Sequence, residues 1–153
     1  AGSGNAAHTG DNYEYGYKAE DGNQVNNASA SSYGNTYTTN DIISIAMDLD
    51  NNKLYFGKNG TWQNSGDPTS GSTGTGAISI TDPASTDTGF YFFTVAKATS
   101  STDTATFQCN FGNGYFGTTA VASAGTNASG NGIFEYDVKP SDATAVSTKG
   151  LNL

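Results

Sequence analysis

The sequence predicts a single all-β domain built from antiparallel strands, and three observations carry that expectation. Nine Tyr and eight Phe stand against one Met, the preference of pleated, half-buried surfaces rather than of helices. Apolar residues recur at every second position in short runs bounded by Gly, Asn, Asp and Ser. No stretch sustains a helical period and no internal repeat is present, while 153 residues suffice for one core.

The elements follow in chain order. Residues 1–12 are small, polar and aperiodic, which reads as a flexible segment or as a strand exchanged with a neighbour. Tyr13, Tyr15 and Tyr17 alternate with polar residues as a strand with one aromatic face would. Asp21-Gly22-Asn23 supplies a turn, and Asn26 to Asn35 reads as a loop that holds no core. From Asp41 the alternation is clearest. Ile43, Ile45, Met47 and Leu49 share a face, Asp50-Asn51-Asn52 turns the chain, and Lys53 to Lys58 returns as the second strand of a hairpin. Asn59-Gly60 makes the next turn, Ser65 to Gly76 reads as an exposed, mobile loop, and Ala77 to Ile80 as a short strand. After a turn from Asp82 to Gly89, Phe90 to Ala96 is apolar on both faces, as a central strand would be, with Ala105 to Phe111 as its antiparallel neighbour. Thr118 to Asn131 reads as a second small-residue loop, Ile133 to Val138 as a last strand, and 139–153 as an irregular tail.

Charge and reactive residues narrow the function. Formal net charge is −8 and all six cations are Lys, so no guanidinium fork is available for phosphate or bases; nucleic-acid binding is disfavoured. No apolar run has the roughly 20 residues of a membrane helix, so no membrane insertion is expected. Cys109 is the one cysteine and falls at period two with Ala105, Phe107 and Phe111, which predicts a buried core thiol. His8 is the one histidine and has no Ser or Cys partner nearby in sequence. Asp48 and Asp50 open like a calcium loop, but Lys53 stands where its Gly is needed and Asn59 where its Glu is needed. No catalytic, cofactor-binding or metal-binding residue is therefore assigned, and no cofactor. The three Asn-x-Ser/Thr patterns, at Asn27, Asn59 and Asn127, are expected by chance in so Asn-rich a chain. The Tyr13, Tyr15, Tyr17 stripe is open to two readings, a sugar-stacking platform or an inward core stripe.

One constellation is more specific than its parts. An Asp opening a strand (Asp41), a strand ending in Asp48-Leu49-Asp50, a short turn, and an aromatic strand ending in Lys58-Asn59-Gly60 together resemble the signature hairpin of SPRY domains. Tyr33-Gly34 to Thr39, Phe90 to Val95, and Phe107 to Phe111 with Gly112 resemble its lead-in, buried strand and Asn-Phe-Gly strand end, so the likeness runs over residues 13–138. The Gly/Asn/Ser-rich loops and the end from Phe134-Glu135-Tyr136-Asp137-Val138 to Leu153 look similar to SPRY modules in virion proteins of tailed bacteriophages. The resemblance implies a concanavalin-like β-sandwich without catalytic residues, a capsid decoration or a tail-fibre or appendage component located on the virion. Its partners would be other virion subunits, as a homo-oligomer or by strand exchange with a neighbouring chain. A carbohydrate-binding or adhesive surface domain, with a host glycan as partner, is the alternative; a glycan-cleaving enzyme is the weakest reading, since Asp48 and Asp50 flank a tight turn. Because a complete domain has strands before the region of Tyr13, the sandwich is expected either to lack its first strands or to take 1–12 as an irregular substitute. The expected core is Ile43, Ile45, Met47, Leu49, Leu54, Phe56, Phe93, Val95, Phe107 and Phe111, with Phe107→Ala costing ~3–5 kcal/mol.

Overall fold

The computed structural model describes residues 12–97, 105–126 and 132–136. His8, the Asn127 pattern, the segment before Asn12 and the tail from Asp137 lie outside the described residues. What is described is all-β: short strands, a few 3-10 turns, and antiparallel pairing in every ladder between strands. Among the described residues no helix is long and apolar enough to cross a membrane. The fold divides into two compact units, Ala1–Asn40 with Ile80–Phe107 and Asp41–Ser79 with Gln108–Leu153.

The first unit carries β1 (Tyr15–Tyr17), β2 (Asn23–Asn26) and β3 (Ser29–Ser32) in one antiparallel sheet. Sequence reading left the region from Asn26 as a loop; the structure makes it a hairpin, because Asn26 pairs Ser29 across a two-residue connection. Asn27 and Ala28 both take positive φ, 49° and 58°, the geometry whose twist matches that of paired strands. Val25 and Tyr33, on either side of that turn, are buried, so a core does form there. Ala is poorly suited to the left-handed region. Ala28→Gly is expected to raise stability by ~1 kcal/mol, read as a rise in the denaturation midpoint at unchanged slope.

In the second unit β4 (Ile43–Asp48) pairs β5 (Lys53–Lys58) over six residues, from Ile43 opposite Lys58 to Asp48 opposite Lys53. Asn52, at φ 57°, closes the predicted turn. The other edge of β5 pairs β6 (Thr61–Trp62) at one end and β7 (Ile78–Ser79) at the other. With ladders on both edges, β5 is the centre of this unit, and Leu54, Tyr55 and Phe56 are all buried.

The core departs from the sequence reading in a specific way. Leu54 and Phe56 are buried as expected, but Ile45 and Leu49 are exposed, and the opposite face, with Ala46 and the wholly buried Tyr55, is the better covered. The cover is the segment from Gln63 to Gly76, which is ordered rather than mobile. The Tyr55 hydroxyl lies 3.3 Å from Ser70 Oγ, Ser70 Oγ accepts from Thr75 N at 2.9 Å, and Asp67 N donates to Thr75 O at 3.0 Å. The Asp67 carboxylate accepts from both N and Oγ1 of Thr69, and Pro68 is buried. Gly76 is obligatory at its position: φ is +65°, and a Cβ there would sit 2.5 Å from the Asn64 carbonyl oxygen.

Larger departures come after Ile80. Asp82 caps the Pro83–Ser85 turn by accepting from Ala84 N, as turn chemistry predicts. Among the described residues, neither Phe90 to Ala96 nor Ala105 to Phe111 joins a sheet. Phe93, Val95, Phe107 and Phe111, expected in the core, are exposed, and so is Cys109, expected as a buried thiol. Apolar alternation states that a segment suits a half-buried pleat; it does not supply the neighbouring strand, and none is in place among the described residues. The region from Thr118, read as a loop, instead contributes β9 (Thr119–Ala120), paired with β8 (Tyr115–Phe116), and β10 (Gly125–Thr126), paired with β11 (Ile133–Phe134).

Candidate functional site

The signature hairpin closes on a polar clasp. Asp41 precedes β4 and the Asn59-Gly60 turn follows β5, so the ladder brings them together. Asn59 Nδ2 donates to Asp41 Oδ1 at 2.6 Å, Lys58 Nζ stands 3.1 Å from Asp41 Oδ2, and Asn59 Oδ1 accepts from Ile42 N at 2.8 Å. Asn59 N in turn donates to the Ile42 carbonyl at 2.9 Å. Asn59 and Gly60 have φ of 48° and 80°, which only a residue tolerant of the left-handed region and a glycine hold cheaply. The ring of Tyr136 lies where a Cβ on Gly60 would be, 2.8 Å from its Cδ1. Every member is engaged in holding the hairpin shut, and the constellation is architectural.

The Asp48/Asp50 pair is likewise used locally. Asp48 accepts from Asn51 N at 3.1 Å and from Asn51 Nδ2 at 2.8 Å, which fixes the turn. Among the described residues no group of three or more His, Cys, Asp or Glu gathers where a metal ion could be held.

The tyrosine stripe faces inward. In the first unit, the Tyr15 ring meets Tyr91 edge-on at 6.1 Å, and the Tyr15 hydroxyl accepts from Thr81 N at 3.0 Å and lies 3.2 Å from Thr81 Oγ1. The Tyr17 ring packs against Tyr33 and Tyr37, its hydroxyl donates to the Asn35 carbonyl, and Tyr37 OH donates to the Tyr17 carbonyl at 2.7 Å. Tyr13, Tyr15 and Tyr17 are half-buried, and the rings of Tyr15 and Tyr17 are engaged with these neighbours. Tyr91 OH completes the set by donating to the Thr81 carbonyl at 2.8 Å. Burial and then the neighbouring Tyr15 push the Tyr91 hydroxyl from its ordinary 10.0 up to about 12, and burial raises Tyr37 as well. A raised phenol favours the neutral, folded form, so this contribution is complete below about pH 10 and is lost as pH climbs through about 12. Melting temperature should fall over that window, and Tyr91→Phe should flatten the fall; an unchanged profile in the variant would contradict the assignment.

What remains open is the segment that Tyr91 anchors. Phe90 and Phe92 lie to either side of Tyr91 in sequence and are 58% and 72% exposed. Their ring centroids are 6.3 Å apart, and the chain bends at Phe90 without forming a strand through Ala96. Phe93 and Val95, on the face of Tyr91, are partly exposed too. An apolar ridge of this kind marks a site of interaction more often than an accident of folding. Sequence reading saw its apolar character and placed it in a core.

No curated protein and no solved structure matches the chain. The family model of the SPRY domain matches residues 2–81, more than half of the sequence and inclusive of the Asp41–Lys58–Asn59 clasp. The chain belongs to the SPRY family of protein-interaction modules, with the antiparallel β-sandwich as its fold class.

Proposed function

We propose that this chain is a non-enzymatic assembly module on the surface of a virion, as capsid decoration or as part of a tail fibre or appendage, and that it works by docking other subunits through the Phe90–Val95 ridge. The observation that carries the reading is the ridge itself: Phe90, Phe92 and Phe93 exposed beside the anchored Tyr91, in a family of interaction modules. Exposed aromatic rings of this kind suit burial against another polypeptide, whose side-chain pockets they would fill. The virion setting is supported by the likeness of the Gly/Asn/Ser-rich loops and the end of the chain to phage structural modules. The engagement of the Tyr15 and Tyr17 rings with neighbouring rings favours this reading over the sugar-binding alternative.

Purified particles should contain the chain by mass spectrometry, and a low-resolution map should place it on the outer surface. Phe92→Ser should abolish its incorporation while leaving the melting temperature of the isolated chain within about 1 kcal/mol equivalent of the parent. Absence from the particles, together with saturable binding of the chain to one sugar on a glycan array, would replace this reading with the carbohydrate-binding one.

A further inference from the structure

We infer that the open edge of β4 is a self-pairing site: β4 of one copy adds antiparallel to β4 of a second copy across a two-fold axis at Ile45, joining two four-stranded sheets into one. The Phe90–Val95 surface takes no part in it. Edge, register and charge each carry the inference.

Because β5 has ladders on both sides, β4 stands at the edge of its sheet. Among the described residues no backbone group pairs with its outer side. Proteins ordinarily blunt such an edge with a Lys, a Pro or a bulge. Ile43 to Met47 holds neither Lys nor Pro, and its register with β5 runs one to one, without a bulge. Ile45, at the middle, is 41% exposed.

The parity of the hairpin decides which groups the edge offers. Asn59 N donates to the Ile42 carbonyl, so Ile42 and Asn59 occupy a hydrogen-bonded position of the antiparallel ladder. Positions alternate from there. Ser44, Ala46 and Asp48 turn their backbone groups to β5, and Ile43, Ile45 and Met47 turn theirs outward. A second β4 bonds only where outward residues meet outward residues, and the two-fold at Ile45 achieves this along the whole strand. Ile45 meets Ile45, and Ile43 meets Met47 at either end, each pair exchanging two backbone bonds. Sliding the pairing by two residues puts Ile43 or Met47 opposite a residue outside β4. Paired residues share a face, so the apolar row of one copy continues into that of the other.

Charge points to the same partner. With a formal net charge of −8, two copies associate best where neither carries charge. Ile42 to Met47 has none, so the edge also offers nothing by which a charged foreign strand would be preferred. The acidic residues that flank it are engaged within their own copy, Asp41 with Lys58 and Asp48 with Asn51. In the two-fold register Asp48 falls opposite Ile42 and Asp41 opposite Leu49, and no carboxylate stands opposite or diagonal to another. A parallel, in-register pairing would set Asp48 beside Asp48.

The experiment uses the full chain carrying Cys109→Ser, which removes the exposed native thiol. Sedimentation equilibrium should give a mass that rises with concentration to twice 15.7 kDa, with a Kd of roughly 10–100 µM, since edge pairing buries little beyond the backbone. Ile45→Pro deletes an outward N–H that β5 does not use, so the melting temperature should hold while the chain stays monomeric to about 500 µM. Ala46→Pro deletes an inward N–H and should instead lower the melting temperature sharply. Ile45→Cys should give a disulfide-linked dimer on mild oxidation; Met47→Cys should not, because the two Met47 positions are four residues apart along the ladder. Amide exchange at Ile43, Ile45 and Met47 should slow as concentration rises, with Ser44 and Ala46 unchanged. Should Ile45→Pro fail to fold, the cysteine pair and the exchange pattern decide. A parent chain that stays monomeric to about 500 µM, a dimer that survives in folded Ile45→Pro, or a cross-link at Met47→Cys in place of Ile45→Cys would each overturn the inference. So would a monomer whose Ile43, Ile45 and Met47 amides are already slow, because the chain itself would then cover the edge. A dimer lost in Phe92→Ser and kept in Ile45→Pro would overturn it in favour of the Phe90–Val95 surface, so the two readings fail separately.

Discussion

Tyr55→Ala is expected to destabilise the chain by ~3–5 kcal/mol, the cost of deleting a fully buried ring whose space cannot close. Tyr55 has no solvent exposure, lies in the strand with ladders on both edges, and meets Trp62 edge-on at 6.5 Å. Its removal also takes away the body around which Gln63 to Gly76 is wrapped, so amide exchange in that loop should accelerate along with the global loss. Tyr55→Phe keeps the ring and deletes the contact with Ser70 Oγ, at a cost of ~1 kcal/mol. The informative contrast is Phe107→Ala. A ring 53% exposed, outside any sheet, should cost no more than ~1 kcal/mol on truncation, and not the ~3–5 kcal/mol its apolar periodicity implies. Urea midpoints for the three variants decide the matter: equal losses at Tyr55 and Phe107 would mean that both rings share one core.

Asp41→Ala should cost ~2–3 kcal/mol, since it strips two partners at once. Asn59 Nδ2 loses its acceptor, and the half-buried Lys58 ammonium loses its counter-charge. Asp41→Asn retains an acceptor for Asn59 and should recover about half of that loss. Asn59→Ala removes the clasp from the other side, together with the acceptor for Ile42 N. The double variant should therefore fall short of the sum of the singles by about 1 kcal/mol or more, and strict additivity would show that the three residues do not act as one unit. The clasp explains physically why an Asp before one strand accompanies Lys-Asn-Gly after the next. The ladder sets their separation, and Asn59, at positive φ, closes the turn with its backbone and the clasp with its amide.

Local chemistry alone determined a good part of this protein. The β class, the hairpin of Ile43 to Lys58, the Asn59-Gly60 turn and the turn from Asp82 were all legible, because each depends on neighbours within a few residues and on backbone preferences that the side chains announce. The turn at Asn27-Ala28 was missed for the converse reason: Ala is not a residue that advertises positive φ, and the strands beside it are short and polar. Burial lay beyond the sequence. Period two says which residues share a face, and in β4 and β5 that was right, with Ile45 opposite Phe56 and Met47 opposite Leu54. Which face is covered was decided by the Gln63–Gly76 loop lying over Tyr55, a contact of the chain with itself at a distance that periodicity cannot express. The same holds at Phe90–Ala96. Its composition fits a central strand, yet a strand is central only when partners arrive on both edges, and partner supply is a property of the assembled fold. Tyr91 bound to Thr81 and Tyr15 anchors one residue of that segment, and Phe90 and Phe92 beside it are left exposed.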